Sequence, residues 1–217
     1  MGMLMLGGNL IFQGCQDSPA ETEVSKPLDS TSTRKAIPNL KPIKIGKGTF
    51  PAAPDGTLVG NGKDSGTKLR AEYTNGQLTA QELFMPPKQM GPPPHLHKEL
   101  DEVMIVLEGT IHVLVGKEVV ELHAGDWHVR PHGIVHTFWN AGDVPARLID
   151  LYPNQDLITF FEDFLRMQKR LQNEGVSMQS PEFQKQNKEL LDKFGIEMFP
   201  DQLPPILEKY GLKMLPV

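Results

Sequence analysis

Short apolar segments separated by glycine-containing turns occupy the middle of the chain, from about residue 66 to residue 152. Asn75-Gly76 and Glu108-Gly109 are dipeptides typical of tight turns between strands. The predicted strands are residues 68–74, 77–84, 103–107, 110–115, 119–122, 127–129, 135–140 and 147–152. Many short strands at such close spacing predict an all-β fold, either a sandwich or a barrel.

The apolar pattern changes to the period of a helix after residue 155. The apolar residues that fall on one helical face are Leu157, Phe160, Phe161, Phe164, Leu165 and Leu171. Ser180-Pro181 predicts the start of a second helix that ends near Gly195, and a short third helix is expected over residues 204–210. Residues 155–217 therefore form a predicted helical extension that packs on the barrel or on a partner subunit.

The N-terminal segment, residues 1–48, has two interpretations. An apolar, glycine-rich stretch precedes Cys15, as in a bacterial lipoprotein signal, in which case a lipid on Cys15 would tether the protein to a membrane. No lysine or arginine precedes the apolar run, so Cys15 is alternatively an incidental thiol and the stretch is not part of the natural protein. Residues 16–48 are polar and suit a disordered tether. Location in the cell envelope or in the cytoplasm stays open.

The net charge argues against a nucleic acid partner, and the cysteine count excludes two kinds of cysteine site. The net charge is -5, whereas binding to nucleic acid phosphates requires a basic surface, so no nucleic acid partner is expected. The single cysteine excludes an internal disulfide and a zinc site built from cysteines.

All seven histidines lie between residues 95 and 136. His95 and His97 are two residues apart, so on a strand they share one face and can converge on one ion. Glu102 follows at a distance that allows a return on the adjacent strand, and His136 must come from a third strand. Three imidazoles and one carboxylate suit a divalent iron, manganese, nickel, cobalt, copper or zinc ion. The other histidines are expected to be surface or strand residues: His112, His123, His128 and His132.

Two motifs resemble those of a known family. The stretch His95-x-His97-x4-Glu102-x6-Gly109 resembles the first motif of the cupin superfamily, and Gly125-x5-Pro131-x-Gly133-x2-His136-x3-Asn140 resembles the second. The resemblance implies a double-stranded β-helix, that is, a jelly-roll barrel of the RmlC-like type, over residues 49–154 with its core at 68–152. It also implies a homodimer and a similarity to single-domain bacterial cupins labelled quercetin dioxygenase-like.

The resemblance leaves three classes of function open. The first is a dioxygenase in which Glu102 is both metal ligand and catalytic base, with Met104 and Phe138 lining a pocket for a small aromatic or oxygenated substrate. The second is an isomerase or lyase that acts on a small acid or sugar. The third is a non-catalytic protein that binds a small molecule. An inward-pointing arginine would favour the second class, and the candidates are Arg130 and Arg147.

Overall fold

The computed structural model describes residues 66–214. The predicted N-terminal segment, residues 1–48 with Cys15, lies outside these described residues. None of the helices between residues 66 and 214 combines the length and the apolar character that crossing a bilayer requires.

The described residues form eleven strands, four α-helices and one 3-10 helix (Pro200–Gln202), and the predicted change from strands to long helices occurs after residue 153. The strands are β1 (Gly66–Leu69), β2 (Leu78–Met85), β3 (Gln89–Met90), β4 (His95–His97), β5 (Glu102–Glu108), β6 (Thr110–Val115), β7 (Glu118–His123), β8 (Trp127–Arg130), β9 (His136–Asn140), β10 (Ala146–Pro153) and β11 (Ile196–Met198). The helices are α1 (Ala71–Thr74), α2 (Leu157–Asn173), α3 (Pro181–Lys193) and α4 (Leu203–Tyr210).

Two antiparallel sheets build the barrel. One has the strand order β1-β2-β10-β5-β8, and the other has the order β11-β4-β9-β6-β7, with β3 pairing to β9. The many non-consecutive neighbours in both sheets are typical of a jelly roll. The predicted all-β jelly-roll barrel with a C-terminal helical extension is confirmed.

The interior of the barrel is apolar in one half and polar in the other. The apolar cluster draws on both sheets and consists of Met85, Met104, Val106, Ile111, Val113, Leu122, Phe138, Ala146 and Leu148. Alternate residues of a strand share a face, so β10 continues inward from Leu148 to Asp150 and Tyr152. Gln81 on β2 lies opposite Asp150, and both are buried. The polar half holds the site described below.

The predicted first strand, residues 68–74, is wrong in its second half. Strands β1 and β2 do pair, with Thr67 opposite Gln81, but β1 ends at Leu69 and α1 follows. The Thr74 hydroxyl accepts a hydrogen bond from the Leu78 amide at 3.0 Å and donates one to the Leu78 carbonyl, which closes the turn. Asn75-Gly76 therefore ends a helical turn rather than forming a two-residue hairpin loop.

The Glu108-Gly109 turn joins the two sheets instead of two neighbouring strands, because β5 and β6 belong to different sheets. Gly109 has a φ of +75°, and a Cβ there would lie 2.7 Å from the Pro145 carbonyl oxygen. Gly76 has nearly the same φ, +72°, with nothing within 4 Å of a Cβ. Both glycines have a left-handed backbone, but only Gly109 also lies too close to neighbouring atoms to accept a Cβ.

Gly109→Ala is expected to lower the free energy of unfolding by more than the ~1–2 kcal/mol that a left-handed backbone costs an alanine. Gly76→Ala should cost only that backbone amount, because its Cβ would meet no neighbour. Urea unfolding of the two variants measures the difference. Equal losses would show that the contact with Pro145 contributes nothing.

The C-terminal extension is capped as the sequence predicts. The Ser180 hydroxyl accepts a hydrogen bond from the Phe183 amide at the start of α3, and Gly211 follows α4 with a left-handed backbone. Helices α2 and α3 share a small apolar cluster that contains Met167, Leu171 and Phe183. One element of the extension was not predicted, namely strand β11, which pairs with β4.

Candidate metal centre

Three strands bring the predicted ligands together in the polar half of the barrel. Strand β4 carries His95 and His97, β9 carries His136 and β5 carries Glu102. His95 and His136 lie directly opposite each other in the β4–β9 pair. One ligand atom from each of the four residues lies within 4.8 Å of the others, and all four side chains are buried. The residues that the motifs single out therefore do converge.

Backbone carbonyls orient two of the imidazole rings. His95 Nδ1 lies 2.8 Å from the carbonyl oxygen of Pro93, and His136 Nδ1 lies 3.0 Å from that of Ile134. A ring that donates from Nδ1 keeps its lone pair on Nε2, which is the arrangement found in most metal-bound histidines. Each ring thus presents Nε2 to the centre.

Buried nitrogen atoms at the centre lack hydrogen-bond partners in the described part of the chain. Neither ring nitrogen of His97 has one, and neither does Nε2 of His136. The nearest acceptor is Glu102, whose carboxylate oxygens lie 3.4 Å from His97 Nε2 and 2.9 Å from His136 Nε2, without hydrogen-bond geometry. Orphaned imidazole nitrogens around an acidic oxygen fit a bound divalent cation, since burying such atoms unpaired is costly.

An arginine completes the polar half, and the sequence could not place it. Arg130 is fully buried; its Nε donates to Glu102 at 2.9 Å and its Nη2 donates to Asp150 at 2.7 Å. The guanidinium also lies over the Phe138 ring, with Cζ 5.2 Å from the ring centroid. Arg130 is therefore the inward arginine, and it is bonded directly to Glu102, one of the four converging ligands.

Arg147, the other arginine considered, lies on the outer side of the same sheet. Its guanidinium donates to Glu82 and Glu108, and its side chain is 30% exposed. It bridges two carboxylates on neighbouring strands, as Arg130 does, but at the surface.

Burial and neighbouring charges shift the pKa of the Glu102 and Asp150 carboxyl groups in the polar half of the barrel. Burial opposes ionisation of Glu102, but Arg130 and the adjacent rings of His136 and His97 hold the pKa of that carboxyl well below its usual range. Burial raises the pKa of Asp150 to about 6, although Arg130 acts in the opposite direction. Glu102 is therefore an anion near neutral pH, which suits a metal ligand.

The remaining predicted positions divide between core and surface. Met104 and Phe138 point inward, as the period of the strands predicts, and are nearly fully buried in the apolar cluster. Their contact with a substrate stays a prediction. Of the other histidines, two are exposed and two are partly buried, and none joins the metal-ligating group within residues 66–214: His112, His123, His128 and His132.

The C-terminal extension supports the ligand strand directly. Strand β11 pairs with β4 so that Ile196 lies opposite His97 and Met198 lies opposite His95. Two backbone hydrogen bonds flank the pair, from Lys98 to the Gly195 carbonyl and from Phe199 to the Pro94 carbonyl, both at 2.8 Å. The strand that holds two of the four ligands is thus fixed on one side by β9 and on the other by the extension.

The stability of the metal-free protein should depend on pH through His95. Burial lowers the pKa of His95 to about 3, against an unfolded value of about 6.5. Between these values the unfolded chain binds a proton that the folded protein does not. The contribution of His95 is therefore complete above pH ~6.5 and declines towards pH ~3, by up to ~1.4 kcal/mol per pH unit.

Urea unfolding of the metal-free protein from pH 7 to pH 5, compared with His95→Asn, measures this contribution. The wild-type free energy of unfolding should fall more steeply with decreasing pH than that of the variant. Asp150 acts with the opposite sign in both proteins, because its pKa is raised on folding, so the difference between the slopes reports on His95. Identical slopes would mean that His95 titrates alike in the folded and unfolded states.

Comparison with known protein families bears on the same region. The family described as Cupin domain matches residues 82–152, which carry the four converging ligands and Arg130. Residues 82–152, about a third of the chain, are thus similar to a cupin domain. The histidine and glutamate cluster within them is typical of a metal site, and the match ends just before the helical extension begins.

Relatives of the cupin domain include curated plant proteins. Germin-like protein subfamily T member 2 of Arabidopsis thaliana is 40% identical over 68 residues, which are 29% of this chain and 31% of that protein. Nectarin-1 of Nicotiana langsdorffii x Nicotiana sanderae is 37% identical over 71 residues, covering 29% of this chain and 30% of that protein. The chain thus spans about a third of the length of these relatives. The RmlC-like and quercetin dioxygenase-like specifics and a bacterial source stay predictions.

One solved structure is similar to part of the chain, at low identity. The structure of KdgF from Halomonas sp. matches with 22% identity and a TM-score of 0.39, covering 44% of this chain and 82% of that one.

Proposed function

We propose that this protein is a metal-dependent enzyme that binds a divalent transition metal ion through His95, His97, Glu102 and His136. The observation that carries the proposal is the convergence of four buried ligand atoms within 4.8 Å, with imidazole nitrogens left unpaired at their centre. Four protein ligands leave about two positions of an octahedral ion for substrate and water. When bound, such an ion supplies Lewis acidity to a ligated oxygen atom.

The surrounding residues favour a role for Glu102 as ligand over its predicted role as catalytic base. One of its oxygens already accepts a hydrogen bond from Arg130, and a charge-assisted hydrogen bond of this kind stabilises the anion. A carboxylate held in this way is a weak base near neutral pH. Arg130 orients Glu102, and the backbone carbonyls of residues 93 and 134 orient the rings of His95 and His136.

The placement of Arg130 favours a small oxygenated acid or sugar as substrate, and hence an isomerase or lyase. Inward positions on β2 and β10 are also polar, and the buried Gln81 side chain donates a hydrogen bond to the Tyr152 hydroxyl. A dioxygenase acting on an aromatic substrate is the second candidate. It is supported by Met104 and Phe138, which face the same interior, although both are packed among other core side chains.

Two measurements on the same preparation separate these candidates. The protein, purified without added metal and analysed for its elements, is incubated with a panel of small hydroxy acids and sugars and with a panel of flavonols. Product formation from the first panel without oxygen uptake supports the isomerase or lyase. Oxygen uptake with flavonols supports the dioxygenase instead, and absence of stoichiometric metal contradicts both.

A further inference from the structure

One nitrogen of the Arg130 guanidinium, Nη1, forms no hydrogen bond with the described residues. Nε and Nη2 bind Glu102 and Asp150, while Nη1 is buried and has no hydrogen-bond partner among the described residues. A buried, unpaired donor group on a cation is costly, so such a group in a folded protein is normally met by water or by a ligand. The two carboxylates and the Phe138 ring prevent the side chain from turning away to find another partner.

The charge of the polar half favours an anion as that ligand. Glu102 and Asp150 each contribute one negative charge and Arg130 one positive charge, so the three groups together carry a net charge of about -1. A divalent ion held by the four ligands would reverse this to about +1. A monoanion would then neutralise the buried cluster, whereas a neutral ligand would leave the charge uncompensated in a medium of low dielectric constant.

We propose that Arg130 Nη1 is the binding group for the carboxylate of a small hydroxy-acid substrate, with Asp150 holding the guanidinium in place. The proposal rests on the proposed metal centre and goes beyond it by naming the substrate's charged group and the residue that recognises it. Arginine suits this role because its planar fork serves several oxygen acceptors at once. Arg130 binds Glu102 and Asp150 through Nε and Nη2, which leaves Nη1 as the donor for the ligand.

Glycolate and glycolamide test the proposal, because they have the same size and differ in charge. Titration calorimetry of each into zinc-loaded protein, with metal content measured on every sample, should show that the wild type binds glycolate more tightly by about tenfold or more. In Arg130→Gln this preference should fall to the part that the metal alone supplies. In Arg147→Gln, which removes a comparable arginine on the outer face, the preference should be unchanged.

Asp150→Asn provides a second variant that does not depend on how well Arg130→Gln folds. Asparagine keeps an oxygen that accepts the hydrogen bond from Nη2, so the guanidinium stays in place while the negative charge beside it is lost. Glycolate binding should therefore tighten and glycolamide binding should stay unaffected, which a purely structural role for the pair would not produce. An equal preference in wild type and Arg130→Gln at equal zinc content, or weaker glycolate binding by Asp150→Asn, overturns the assignment and would mean that water occupies Nη1. If the wild type takes up no zinc, the proposed metal centre itself fails.

Discussion

His136→Ala is expected to lower the affinity of the protein for a divalent metal ion by about 100-fold or more, since loss of an outer partner alone typically costs 10–100-fold. His136 is fully buried, and its Nε2 faces the centre because Nδ1 is bound to the Ile134 carbonyl. Alanine removes the ligand, and within residues 66–214 no histidine besides His95 and His97 is left in the ligand group to replace it. Competition with a chromophoric chelator measures the affinity directly.

His123→Ala is the matched control, because His123 is 64% exposed and lies outside the four-ligand group. Its metal affinity should equal that of the wild type. If instead His123→Ala loses the metal and His136→Ala keeps it, the ion binds at the surface and the assigned centre is wrong.

Arg130→Met is expected to lower the free energy of unfolding by about 3–5 kcal/mol. The substitution leaves the buried carboxylates of Glu102 and Asp150 close together without a cation between them. Their repulsion and desolvation are then opposed only by the His97 and His136 rings beside Glu102, so one of the two carboxylates takes up a proton. Thermal or urea unfolding of the metal-free protein at pH 8 measures the loss.

Arg147→Met is the matched control, because Arg147 also bridges two carboxylates on neighbouring strands but its own side chain is 30% exposed and that of Glu108 is 61% exposed. Exposed ion pairs contribute about 0–1 kcal/mol, so the control should be nearly as stable as the wild type. Equal losses in the two variants would contradict the distinction drawn here between a buried and an exposed arginine bridge.

The four metal ligands were predictable because their spacing in the sequence follows the strand period and the two motifs. His95 and His97 share a strand face by the period of two, and the two motifs add Glu102 and His136. Which faces of the strands point inward was harder to predict for β8, where apolar and polar residues alternate. The ordinary pattern would bury Trp127 and Val129, yet these are 66% and 53% exposed and Arg130 is buried. Two inward carboxylates on other strands reverse the pattern, and their positions depend on sheet register.

Two further differences between prediction and structure have different origins, the first in local hydrogen bonds and the second in a tertiary contact. Residues 71–74 follow a strand and precede Asn75-Gly76, so local signals favour a hairpin, but hydrogen bonds to Thr74 stabilise a helical turn instead. Strand β11 has only three residues and carries no strand signal of its own. It forms because β4 offers an unpaired edge, which the sequence alone does not show.

The most direct test of the account is a crystal structure of the metal-loaded protein with anomalous diffraction data. One ion at full occupancy is expected, within about 2.0–2.3 Å of a nitrogen from each of three imidazoles and of an oxygen from Glu102. Anomalous density at the exposed His123 or His132, with none between His95, His97 and His136, would contradict this assignment.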